Sequence, residues 1–264
     1  MRKTQSPSAR VPALVVEDFS AGYPGARHVL RHVGFSVMPG DYIGILGPNG
    51  AGKSTLFKAI AGLIPHETGC ISIHGENCRR SHNLVGYVPQ IENIDWNFPA
   101  TVRDVVMMGR TRQIGWFLPA TPAHWRKVDS LLDRVGMADF RQRQIGALSG
   151  GQRRRVFIAR ALAQETDVLL LDEPFSGVDI SAEREIQEAL DQLNAEGITI
   201  IVATHDMEMA QTQFDRLLLL KHRVIAYGTP KEVFTPGALR EAYGRRVGVI
   251  EHGNQTVIVA DFHA

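Results

Sequence analysis

Gly47-Pro48-Asn49-Gly50-Ala51-Gly52-Lys53-Ser54-Thr55 follows the apolar run 42–46 and precedes a helix-like run, 56–61. Strand, glycine-rich loop and helix in that order are what a phosphate-binding loop requires. Gly47, Gly50 and Gly52 let the backbone turn so that successive N–H groups converge on one anion, and the helix adds the positive end of its dipole. Lys53 can reach β- and γ-phosphate oxygens as a point charge, and the Ser54 hydroxyl can ligate a Mg²⁺ shared with them. Glycine-rich turns also join strands to helices without binding anything, but Lys-Ser in register with these flanks favours the nucleotide. The loop is expected to bind a nucleoside triphosphate.

A second chemical stretch, Leu171-Asp172-Glu173-Pro174, ends the apolar run 168–171 with two adjacent carboxylates. At the carboxyl end of a strand beside a phosphate loop, Asp172 can hold Mg²⁺ and Glu173 can polarise an attacking water. A solvated acidic turn is the plainer alternative. The third stretch is Leu148-Ser149-Gly150-Gly151-Gln152, where Ser149 and Gln152 fit a capping box for the helix that follows. Two glycines in a first helical turn cost about 1 kcal/mol each, so something besides the helix must ask for them. A helix start with bare N–H groups and a Ser hydroxyl is a second phosphate-binding surface, able to close on a nucleotide held by another copy.

The elements that must position these stretches are legible in the spacing. Strands are expected at 14–19, 33–37, 42–46, 70–73, 84–88, 168–171, 198–204 and 217–220, the run 168–171 reading as a parallel strand buried on both faces. The short strands ahead of the phosphate loop suggest an antiparallel sheet beside a nucleotide-binding core. Tyr23, at a turn there, reads equally as a half-buried aromatic or as a ring that stacks on a base. From 91 to 146 the texture turns helical, with runs at 102–108 and 125–135 separated by the Pro- and Trp-containing connector 115–122. Ser181 is the expected cap of a helix whose stripe is Ile186, Ala189, Leu190 and Leu193, stopped by Gly197. Thr229-Pro230-Lys231-Glu232 is a capping box, and 247–250 with 256–259 predict a terminal hairpin across Gly253-Asn254.

The phosphate loop, Gln90, Leu-Ser-Gly-Gly-Gln, Leu-Asp-Glu-Pro, Ser176-Gly177-Val178-Asp179 and Thr204-His205-Asp206 stand in the order seen in ATP-binding cassette proteins. Nearly all of 14–244 resembles one cassette of an ABC transporter. The resemblance implies an α/β P-loop NTPase core with a mostly parallel sheet, an N-terminal antiparallel β-subdomain and an inserted helical subdomain. It implies a tail over 1–12, the cassette over 13–246 with the helical subdomain at about 91–155, and a C-terminal extension over 247–264. It also implies two cassettes head to tail around two ATP molecules with Mg²⁺, the second cassette being a copy of this chain.

Residue by residue, Tyr23 resembles the adenine-stacking aromatic, and the loop 47–55 the phosphate binder, with Lys53 also counted in catalysis. Gln90 resembles the residue that senses Mg²⁺ and the γ-phosphate, so the ion's expected contacts are Ser54, Gln90 and Asp172. Ser149, Gly150, Gly151 and Gln152 resemble the signature that meets ATP on the opposite subunit. Glu173 resembles the general base, His205 the switch histidine and Asp179 the residue that tunes the partner site. The Asp179 loop reads Ser-Gly-Val-Asp rather than the commoner Ser-Ala-Leu-Asp.

Composition narrows the partners. Over 264 residues, 44% are hydrophobic, 22% are charged and the net charge is +1, so no global basic field favours nucleic acid. The basic start, with Arg2, Lys3 and Arg10, lacks the apolar core of a signal peptide, and no apolar run approaches the roughly twenty residues that span a bilayer. A membrane role must then go through a permease, expected to dock on the helical insertion and the segment after Gln90. Trp96 and Phe98 read equally as anchors for it or as packing. Cys70 and Cys78 with His74 make too small a ligand set for a closed metal site and read as reduced thiols.

The stretches 86–90, 93–99 and 104–110 resemble the manganese, zinc and iron importer cassettes. That implies metal uptake energised from the cytoplasmic face of the membrane, the cargo reaching the permease through an extracytoplasmic binding protein. Haem, siderophore or cobalamin importers are the related alternative. A soluble cassette of DNA repair or translation would bring a coiled coil, zinc hook or second cassette. A small-molecule kinase or GTPase would lack Leu-Ser-Gly-Gly-Gln and His205.

Overall fold

The apolar run at 168–171 becomes the axis of the structure. β7 (Val168–Asp172) lies between β6 (Val85–Val88) and β8 (Thr199–Thr204), parallel to both, and is buried throughout. Leu169 and Leu171 enter one apolar cluster while Val168 and Leu170 enter another, as the period-two strand demands when both faces are covered. β3 (Tyr42–Leu46) pairs in parallel with β8 and with β9 (Arg216–Lys221), and antiparallel β10 (Arg223–Gly228) closes the edge. The order of this six-stranded sheet is β10-β9-β3-β8-β7-β6. The computed structural model describes residues 11–23, 26–65, 67–77, 84–90, 96, 98–115, 118–244, 247–252 and 255–260. The tail to residue 10, Pro24, Gly25, Cys78, Asn93, Ile94, Asp95, Asn97, Trp116 and the Gly253-Asn254 turn lie outside the described residues.

One face of the central sheet meets α1 (Lys53–Ile60) and a four-stranded antiparallel sheet, ordered β2-β1-β4-β5. These strands are β1 (Leu14–Tyr23), β2 (Ala26–Val37), β4 (Thr68–Ile73) and β5 (Glu76–Asn77). The first two outrun the expected 14–19 and 33–37. Register shifts after Val16 and Phe19, with Asp18 at φ 43°, let β1 continue past the point where its alternation breaks.

The opposite face is covered by helices. Between β6 and β7 come α2 (Val102–Met108), α3 (Thr111–Ile114), α4 (Pro122–Arg134) and α5 (Gly150–Leu162). α2 starts at the Thr101–Asp104 capping box, and α4 starts at Pro122, ahead of the expected residue 125, because proline suits the first helical position. α6 (Ile180–Ala195) buries the expected stripe of Ile186, Ala189, Leu190 and Leu193. Its cap is Asp179 and not Ser181: the Asp179 carboxylate accepts from the Ala182 N–H at 2.9 Å, and Ser181 lies inside the first turn. α7 (Met207–Thr212), α8 (Pro230–Val233) and α9 (Pro236–Tyr243) follow, α8 on the expected Thr229–Glu232 box. The chain then forms the expected hairpin of β11 (Val247–His252) and β12 (Gln255–Ala260).

Candidate functional site

Four neighbouring parallel strands end on one edge, and each hands over to a stretch singled out by its chemistry. β3 leads into the phosphate loop, β8 into His205, β7 into Glu173 and β6 into Pro89-Gln90. Leu46 pairs with Thr204, and Ala203 with Asp172, so the handovers lie side by side. The crevice outside the carboxyl ends of a parallel sheet is where such folds bind ligands.

The loop's shape follows from its glycines. A Cβ on Gly47 would lie 2.3 Å from the Leu220 carbonyl oxygen, and Gly52 holds φ 100° at the cap of α1. Gly52 has no side chain to accept from the first N–H groups of α1, and no acidic residue stands in the first turn. That helix start keeps its donors and its positive dipole end for an outside anion. Lys53 is buried and folds back over the loop, donating to the Gly47 carbonyl at 2.6 Å and the Pro48 carbonyl at 3.4 Å. Burial pushes its pKa below the usual lysine range, against the opposing pull of the Glu173 and Asp172 charges.

Asp172 is buried and hydrogen-bonded by the Ser54 side chain and, at 3.3 Å, by the Tyr87 hydroxyl. Burial raises its pKa above the ordinary aspartate value, and those two hydrogen bonds oppose the rise. Tyr87, whose own pKa is raised by burial first, was not singled out in the sequence, where nothing distinguishes it from any strand aromatic. A hydroxyl beside a carboxylate is a hard-oxygen pair of the kind that suits Mg²⁺. Glu173 holds φ 50°, a sparsely populated region for a residue with a Cβ. Its N–H donates to the Ala203 carbonyl at 3.0 Å, and its carboxylate lies 3.5 Å from Nδ1 of the exposed His205. Gln90 is exposed at the end of β6.

His222 is the other residue that sequence reasoning missed. It turns β9 into β10 at φ 59°, and its N–H donates to the Ala51 carbonyl at 2.8 Å. Its carbonyl accepts from the Arg31 N–H at 2.7 Å, and its ring nitrogen lies 3.0 Å from the Val29 carbonyl. It thus clasps the phosphate loop to β2. Tyr23 ends β1 half-buried, beside the turn into β2.

A second group of residues gathers elsewhere on the chain. Ser149 and Gln152 form the reciprocal capping box at 3.3 and 3.0 Å, Ser149 and Gly150 being exposed and Gly151 buried. A Cβ on Gly151 would lie 2.5 Å from the Ala182 Cβ, so close packing of α5 on α6 accounts for that glycine. A Cβ on Gly150 would meet only Val178, at 3.9 Å. Nothing among the described residues asks for Gly150. Arg154 donates to the Ser176 carbonyl, which brings the start of α5 beside the loop that carries the exposed Asp179.

Of the two candidate anchors, Trp96 packs edge-on to Phe157 at 6.0 Å and under the Arg153 guanidinium at 4.3 Å, whereas Phe98 is 59% exposed. The Cys70 thiol donates to a Glu17 carboxylate oxygen at 3.2 Å.

The family profile described as "ABC transporter" matches residues 30–176. The manganese transport system ATP-binding protein MntB of Halalkalibacterium halodurans is 43% identical over 248 residues, spanning 94% of this chain and 98% of that protein. The zinc transport system ATP-binding protein TroB of Treponema pallidum is 42% identical over 240 residues, 91% of this chain and 90% of its own. Among solved structures, an inward-facing conformation of a metal-chelate type ABC transporter superposes with a TM-score of 0.81 at 27% identity, covering 95% of this chain and 98% of its own.

Proposed function

The chain belongs to the ABC transporter family, and on that premise we propose that it is the ATP-hydrolysing cassette of a manganese, zinc or iron importer. ATP binding and hydrolysis come with the family. The observation that carries the assignment of roles is the meeting of Lys53, Ser54, Asp172, Glu173 and His205 at adjoining strand ends. Lys53 and the free N–H groups of α1 hold the β- and γ-phosphates. Ser54, Asp172 and Gln90 would hold a Mg²⁺ ion together with the phosphates, and that ion would supply charge neutralisation at the transferring group. The Glu173 carboxylate takes a proton from the water that attacks the γ-phosphorus, and the bond to the ADP oxygen breaks with its electrons leaving on ADP. His205, beside Glu173, contacts the γ-phosphate, while Tyr23 stacks on the base.

The other wall of each chamber comes from a second copy: Ser149, Gly150, Gly151 and Gln152 meet its nucleotide, and Asp179 tunes the site. Gly150, exposed and without a packing reason, supports that reading. Among the described residues no helix is long and apolar enough to cross a membrane. Attachment at the cytoplasmic face is through a permease that docks on the helical unit near exposed Phe98, and an extracytoplasmic protein delivers the cargo to that permease. The cargo class rests on relatives described as manganese and zinc transport proteins. The metal-chelate type neighbour favours one second reading, a haem, siderophore or cobalamin importer. Reconstitution with the permease separates them: Mn²⁺, Zn²⁺ or Fe²⁺ with its binding protein should raise ATP turnover. Stimulation by a chelate alone would overturn the free-ion assignment.

A further inference from the structure

Asp172 owes its place to three elements at once. It ends β7, accepts from the Ser54 side chain of α1, and accepts at Oδ2 from the Tyr87 hydroxyl of β6 at 3.3 Å. The ladder fixes this meeting. Tyr87 pairs with Leu170 in parallel, so the period of two brings Asp172 out one step further on the same face, the one α1 covers. α1 also holds the tyrosine: the Phe57 ring, one turn on from Ser54, lies edge-on to the Tyr87 ring at 6.4 Å.

Packing against Phe57 would be served by phenylalanine at 87, so the hydroxyl needs another reason. Burial raises its pKa above the ordinary tyrosine value, so it keeps its proton and donates to the carboxylate. A buried carboxylate with a fixed donor on one oxygen is held in one orientation, which is what a small ion with strict geometry asks of its ligands. We propose that Tyr87 is a positioning residue for the Mg²⁺ site, its hydroxyl holding Oδ2 of Asp172 so that the carboxylate and Ser54 stay aligned on one point. The proposal rests on the reading above in which Ser54 and Asp172 hold that ion.

The test is titration of the full chain, loaded with ADP, with Mn²⁺, which takes the same oxygen ligands and whose free-ion EPR signal falls as it binds. Partners that orient a metal's ligands are worth about 10–100-fold in affinity. Y87F keeps the ring on Phe57 and leaves Ser54 its own hydrogen bond, so it should bind Mn²⁺ about tenfold more weakly. Its ADP affinity in EDTA should match wild type. The Mg²⁺ concentration that half-saturates ATP turnover should rise by the same factor, with turnover restored when Mg²⁺ saturates. D172N should weaken Mn²⁺ binding at least as much, and Y87F/D172N should match D172N, because Tyr87 acts only through that carboxylate. Wild-type Mn²⁺ affinity in Y87F overturns the proposal. So does a Y87F that loses ADP equally in EDTA, which makes Tyr87 part of the general shape of the site, or a double variant about tenfold weaker again than D172N. A wild type that takes up ADP but no Mn²⁺ overturns the ion site and this role with it. One that binds both yet releases no phosphate from ATP counts against the hydrolytic reading alone.

Discussion

Gly150 and Gly151 are adjacent in one motif, and the structure gives them different reasons to be glycine. Ala at 151 places a Cβ 2.5 Å from the Ala182 Cβ, far inside contact distance, so α5 and α6 must separate by more than an ångström. Overpacking of that kind costs about 1–3 kcal/mol, and for a chain of this size each kcal/mol lowers Tm by about 2–4 °C. G151A should therefore melt roughly 2–12 °C below wild type. A182G should restore most of that loss, because it removes the opposing methyl. Ala at 150 meets only Val178, at 3.9 Å, and improves helix propensity by up to about 1 kcal/mol, so G150A should melt at or above wild type. Its ATP turnover should nevertheless fall at least about tenfold, if bare backbone at 150 is needed against the partner's nucleotide, where lost oxyanion-type donors carry such factors. Thermal melts and steady-state phosphate release on the four proteins decide it. G151A melting with wild type would refute the packing account, and G150A with full turnover would refute the ligand account of Gly150.

Glu173→Gln keeps the shape of the site and removes the base, so it should bind ATP, release phosphate at least about a hundredfold more slowly and persist as a dimer; wild-type turnover would remove Glu173 from that role. Mixing a variant dead at Lys53 with one dead at Ser149 should restore one working chamber per mixed pair, and mixed pairs without turnover would refute the shared chamber. Asp172→Asn should stabilise the nucleotide-free chain near pH 7. The folded carboxyl is raised by burial and holds its proton above the pH where the unfolded one releases it, so wild-type stability falls as pH rises through that window. The gain in Tm should vanish below about pH 4, the unfolded aspartate value; an equal gain at pH 3 would show that it does not come from the charge.

The strand ends were legible because burial on both faces leaves an unmistakable pattern. Val168 to Leu171 is apolar without alternation, and its residues do divide between two clusters. Motifs attached to such ends inherit their position from the sheet, which is why the positions of Lys53, Asp172, Glu173 and His205 beside one another could be read from sequence. What escaped depends on contacts between distant parts of the chain. Tyr87 reaches Asp172 across 85 positions and His222 reaches Val29 across 193, distances over which no spacing rule operates. Ser181 and Asp179 are both acceptable caps locally. The choice was made by the chain's path, which reaches extended backbone at Asp179 just after the left-handed turn at Gly177.

Residues 101–160 hold twelve Lys or Arg against four Asp or Glu, an imbalance written in the sequence and yet averaged away by the chain-wide sum. Its meaning depends on which cations are already spent on carboxylates, and that only the packed helices decide. Arg110 illustrates the distinction: buried and tied to Glu165, it offers no charge to anything outside. Arg112, two residues on, is exposed. The same logic separates Gly151 from Gly150 and Trp96 from Phe98. In each pair, the residue whose character the fold itself uses up is the one with no claim on a partner, and its neighbour is where recognition has to be sought.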